Sequence, residues 1–216
     1  MFSPFRLLML AVLAFGVYMG FYAVPAAGPG PAAFDPAVVA RHETAAWQAG
    51  RQRQDWPAFI SSTLYQRELH RLSWFRAAQS GFALSRVLVQ IPHMTTRYDR
   101  LLPNLEEIAR VERDWRNVDF DAQWVARKQL NWLSFARNPR PAQGDGERVI
   151  SEMSEELGAR FGLRPDQTYG AAQGRAQAVS LVLAREDPDW DFVTGLLQGG
   201  YESLRSMLDR AAAPPY

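Results

Sequence analysis

Cysteine is absent from the chain, which excludes disulfides, thiolate catalysis and metal or iron–sulfur sites built on sulfur. Packing alone must hold the fold. Lysine occurs once, at Lys128, against 23 arginines, and the net charge is only +1, so nucleic-acid binding is not expected. Histidine is almost as scarce. His42, His70 and His93 are far apart, and none lies in an HxxxH or HExxH pattern, so no metal site and no cofactor are expected. No stretch alternates apolar and polar residues with a period of two, which argues against a sheet and for an all-α protein.

Charge is missing from one segment altogether. Leu7 to Val24 reads LLMLAVLAFGVYMGFYAV, with Arg6 before it and Pro25 after it. Eighteen helical residues span about 27 Å, close to the hydrocarbon thickness of a bilayer. Nine of them are Leu, Val or Phe, each contributing about −0.3 to −0.6 kcal/mol to insertion. The expectation is a single-pass anchor. No Lys or Arg follows until Arg41, so the positive-inside rule puts the rest of the chain outside the cytoplasm. That means the inner (cytoplasmic) membrane with a periplasmic C-terminal domain. The alternative is a signal peptide cut after Ala26, releasing a secreted periplasmic product, although Pro25 makes a poor cleavage site.

The remainder divides by composition. Residues 1–24 form the anchor, and 25–35, PAAGPGPAAFD from Pro25, form a Pro/Gly/Ala linker that cannot continue a helix. Residues 36–137 carry 15 basic and 10 acidic side chains, a net of +5. After a loop at 138–146, residues 147–216 read as an acidic three-helix subdomain; from Asn138 onward, 8 basic and 12 acidic residues give −4. Beyond the anchor we expect an antiparallel array of six or seven helices in two subdomains.

Asp35-Pro36 is an N-cap followed by proline in the first turn and opens the first helix. Asp55-Trp56-Pro57 opens a long amphipathic run in which Ile60, Leu64, Leu72, Phe75, Ala78 and Phe82 form an apolar stripe, divided or kinked at Gly81. Leu101 to Trp115 and Asp119 to Arg137 supply two more helices. Three follow: one ending at Gly162, one starting at Pro165 and one starting at Pro188. Gly170, Gly174 and Ala178 on one of these, with Gly195 and Gly199 on the next, predict a close helix contact, since glycine inside a helix otherwise costs about 1 kcal/mol.

Candidate sites are few. Glu152, Glu155 and Glu156 crowd one turn, but a cluster early in a helix complements the helix dipole more simply than it forms a catalytic pair. Gly195-Leu196-Leu197-Gln198 and Tyr201-Glu202-Ser203 superficially resemble pieces of the lytic transglycosylase signature. Their order is reversed and their spacing too short, so Glu202 inherits no role. No catalytic residue is assigned.

Seven tryptophans remain, several near arginine at helical spacing. Arg67, Arg71 and Trp74 repeat at i, i+4 and i+7, so with His70 they mark a candidate partner-binding face on the second helix. The functional expectation is a membrane-anchored, non-enzymatic assembly factor, accessory subunit or scaffold that binds another membrane or periplasmic protein. The rivals are an envelope-acting enzyme with a carboxylate-lined cleft between subdomains, and a carrier of an apolar ligand.

Overall fold

The computed structural model describes residues 13, 14, 16–18, 33–116, 118–138 and 144–213. The membrane-anchor expectation, Leu7 to Val24, falls mostly outside these residues, as does most of the 138–146 loop. Among the described residues, no helix is long and apolar enough to cross a membrane. They contain helices and no strand.

From Pro36 onward the α-helices are α1 (Pro36–Arg51), α2 (Asp55–His70), α3 (Trp74–Gln90), α4 (Leu102–Arg116), α5 (Ala122–Ala136), α6 (Asp145–Phe161), α7 (Pro165–Ala184) and α8 (Trp190–Ala212). Consecutive helices pack pairwise, and α8 returns to α1, closing the array. Local sequence explains most of the ends. The Asp35 carboxylate accepts from the amide of Ala37 at 2.9 Å, Asp121 caps α5 and Asp189 caps α8 in the same way, and Gly162 ends α6 in the left-handed region at φ 68°.

The long run beginning at Asp55 breaks elsewhere than expected. Gly81 stays helical, and the chain reverses at Arg71 to Ser73. Arg71 adopts a left-handed φ of 55°, and the Ser73 hydroxyl accepts from the amide of Arg76 to start α3. Gly81 has a different role: a Cβ there would stand 2.6 Å from Thr63 Cα. Its missing side chain lets α2 and α3 lie flush against each other.

The glycine row is partly as expected. Gly174 sits against α8, where a Cβ would meet Leu196 O at 2.9 Å and Gly200 Cα at 3.1 Å. Gly195 and Gly199 face open space, so the α8 contribution comes from Gly200 and Ser203 instead.

One large core cluster runs from Phe34 on to Leu208, taking residues from both the basic and the acidic halves. The halves are therefore joined by a common core rather than packed as separate units. Several ion pairs cross between them: Lys128 with Glu152 and Glu155, Arg175 with Glu43, and Arg160 with Glu112.

Candidate functional site

The second helix buries several polar side chains and leaves aromatic ones uncovered near its start. Ser62, Thr63, Gln66 and His70 are buried together with Ala58, Tyr65 and Leu69, while Trp56 and Ile60 are exposed and Phe59 is half-buried. Burial of polar groups is costly unless each finds a partner, and exposed aromatics forgo burial energy. The buried polar groups and the exposed aromatic rings of α2 therefore both call for an account.

Two charge clusters occupy the interior. In the first, Arg175 on α7 donates to Glu43 of α1 at 2.9 Å, and the Tyr201 hydroxyl on α8 donates to the other Glu43 oxygen at 2.5 Å. The Tyr65 hydroxyl lies 3.0 Å from that of Tyr201. Burial raises both phenol pKa values, and the Glu43 charge adds to it, so both tyrosines stay protonated and available as donors.

In the second cluster, the Arg160 guanidinium pairs with Glu112 of α4 and, through Nε, with Glu156 at 2.8 Å. Arg160 also donates to Gln129 at 2.9 Å, and the Trp132 indole donates to Glu156 at 2.6 Å. His70 stacks on Phe161 with its Nε2 3.2 Å from Glu112 Oε1. Burial, then the positive charges of Arg116, Arg160 and Arg175, holds His70 well below the usual imidazole range, so it is neutral. Burial pushes Glu112 up against the opposing pull of Arg160.

Between the clusters lies a cavity of about 30 Å³, lined by Glu43, Gln66, His70, Glu156, Arg160 and Arg175 among others. Among the described residues Gln66 Oε1 and His70 Nδ1 have no hydrogen-bond partner. The volume suits about two water-sized molecules. It admits neither a sugar nor a lipid. The buried carboxylates serve guanidinium groups and phenol and indole donors, and a charge committed in this way is structural before it is chemical. Carboxylates in the outer groove near Trp124 are likewise engaged: Glu155 with Lys128 and Asp166 with Arg164, while Glu147 accepts from Tyr169.

The exterior offers a different arrangement. Where α2 begins and α3 ends, Asp55, Trp56, Phe59, Phe82, Arg86 and Val89 line an open groove of about 510 Å³. Trp56 and Phe59 rings lie 5.4 Å apart, Phe59 and Phe82 meet edge to face at 6.3 Å, and the Arg86 guanidinium sits 5.5 Å from the Phe82 ring. Trp56 is 68% and Phe82 56% exposed.

The face predicted from sequence is dispersed. Arg67 and Trp74 do meet, with the guanidinium 4.2 Å from the ring, but across the α2–α3 turn and not along one helix. Trp74 is only 37% exposed. Arg71 is held by Glu68, and its carbonyl accepts from the Trp115 indole at 3.1 Å. His70 is 4% exposed and belongs to the interior network. His42 is half-buried and His93 exposed. Ile60, Phe75 and Phe82, part of the apolar stripe expected from the sequence, are exposed.

Glu43, Tyr65, Glu112, Arg160, Arg175 and Tyr201 were not singled out as a polar group by the sequence. They lie on six different helices, and no local spacing joins them. The i, i+4, i+8 row Ser62, Gln66, His70 was the one available signal for a buried polar stripe. No family model matches this chain, and neither a curated protein nor a solved structure is similar to it.

Proposed function

We propose that this protein is a membrane-tethered, non-enzymatic accessory subunit, assembly factor or scaffold that works by docking a polypeptide on the aromatic face of α2 and α3. The observation that carries this reading is the aromatic patch where α2 begins and α3 ends: Trp56 and Phe82 are exposed, and the half-buried Phe59 lies against both rings. Aromatic residues and arginine dominate interface hot spots, and Arg86 stands at the edge of the patch. A filled core weighs against a ligand carried in the interior, because the interior cavity has room for only about two waters. Leu7 to Val24 supplies the tether, and the linker from Pro25 to Asp35 leads to the start of α1.

The test is affinity purification of the detergent-solubilised full chain beside the Trp56→Ala/Phe82→Ala variant, with thermal melts of both. Loss of a co-purifying protein at an unchanged melting temperature is the expected result. Retention of every partner by the variant, a second copy of the chain included, would remove this face from the function. Carbonate extraction tests the tether, since an anchored chain stays in the pellet. A reporter active only outside the cytoplasm, fused after Tyr216, should be active.

A further inference from the structure

We infer that the polypeptide docked on the α2–α3 face is a second copy of this chain, paired about a twofold axis that runs along the groove. The inference rests on the docking role proposed for that face and names its occupant.

The argument begins with register. The Arg67–Trp74 stack, the Thr63–Gly81 approach and the Phe59–Phe82 ring contact place α2 and α3 antiparallel, with opposed residue numbers adding to between 141 and 144. Asp55 and Arg86 add to 141, so they stand at the same level on opposite sides of the groove. Both line it, and among the described residues neither has an ion-pair partner within the chain.

A twofold axis along the groove carries the α2 side of one copy onto the α3 side of the other. Each Asp55 then lies opposite the other copy's Arg86, giving two equivalent ion pairs flanking the aromatic rings. The patch is thus self-complementary, the condition that an isologous contact imposes. It carries one acid and one base at matched positions around Trp56, Phe59 and Phe82, and so a second copy fits it better than a partner of a single charge sign. The axis also leaves the helices of the two copies parallel, with both Asp35 ends pointing the same way. That arrangement suits two chains tethered in one membrane from the same side.

The experiment measures the mass of the purified full chain in detergent by sedimentation across a range of concentrations. Wild type should be dimeric. Phe82→Glu should be monomeric with an unchanged melt, because Phe82 is exposed in the single chain. Asp55→Arg and Arg86→Asp should each weaken association about tenfold or more, and the double exchange should restore it, because the charges are then swapped and not lost. A monomeric wild type would overturn the inference, as would a dimer indifferent to Phe82→Glu or a double exchange that fails to rescue. A monomer that still loses a co-purifying membrane protein through Phe82→Glu would sink the second copy and leave the docking face standing. If that variant changed neither mass nor co-purification, both readings would fall.

Discussion

His70 shows how one position changes meaning between a helical wheel and a packed protein. On the wheel it neighbours Arg67, Arg71 and Trp74, whereas in the fold it stacks on Phe161 beside Glu112. Its lowered pKa has a definite consequence for stability. Above the unfolded value of about 6.5 both states are neutral and nothing is lost; below it the unfolded chain takes up a proton that the folded chain refuses. Stability should therefore decline as pH falls from about 6.5 toward the lowered folded value, by at most about 1.4 kcal/mol per pH unit from this group. Thermal melts between pH 8 and pH 5 should show His70→Gln losing less on acidification than wild type. Equal slopes would refute the assignment. Arg175 is a second residue-scale case. Arg175→Leu leaves Glu43 buried with only the Tyr201 phenol donating to it, and a cost of about 3–5 kcal/mol is expected in denaturant titration.

Helix contacts come down to where a side chain is missing. At Gly81 and Gly174 an added Cβ would run into the backbone of the facing helix, at 2.6 Å from Thr63 Cα and 2.9 Å from Leu196 O. Gly81→Ala and Gly174→Leu are each expected to destabilise by about 1–3 kcal/mol, because neither α2 nor α8 can move away without opening the core. Gly199 is the internal control. Nothing lies within 4 Å of a Cβ there, so Gly199→Ala should be neutral or stabilise by up to about 1 kcal/mol through helix propensity. Melts of the three variants decide the matter; equal effects at all three positions would mean that the glycines act through the backbone and not through close approach.

At the scale of the whole molecule, the bulk charge asymmetry and the buried pairs run in different directions. The basic half contributes acids, Glu43 and Glu112, to arginines of the acidic half, Arg175 and Arg160, while Lys128 at the surface pairs the other way. Breaking either buried pair should therefore loosen the halves together, and a single cooperative transition is expected in calorimetry of the detergent-solubilised chain. Two resolved transitions would show that the halves unfold as separate subdomains despite their common core.

The sequence by itself determined the helical class and most of the helix ends, because caps such as Asp35 and Gly162 act within one turn and need no tertiary partner. It also marked the α7–α8 contact through Gly170 and Gly174, since glycine inside a helix demands a packing reason. The Arg71 to Ser73 reversal was written only faintly, in a Ser N-cap, and the periodicity of Leu64, Leu72 and Phe75 ran straight across it. Which face of α2 turns inward was decided by the tertiary structure alone. Hydrophobic period reports that two faces differ and leaves open which neighbour each will meet. Here Gln66 and His70 face an interior of charges drawn from α1, α4, α6 and α7, whereas Trp56, two turns before the buried Thr63 on the same stripe, is left exposed. The same holds for the buried network, whose members lie far apart along the chain and come together only when the last helix closes on the first.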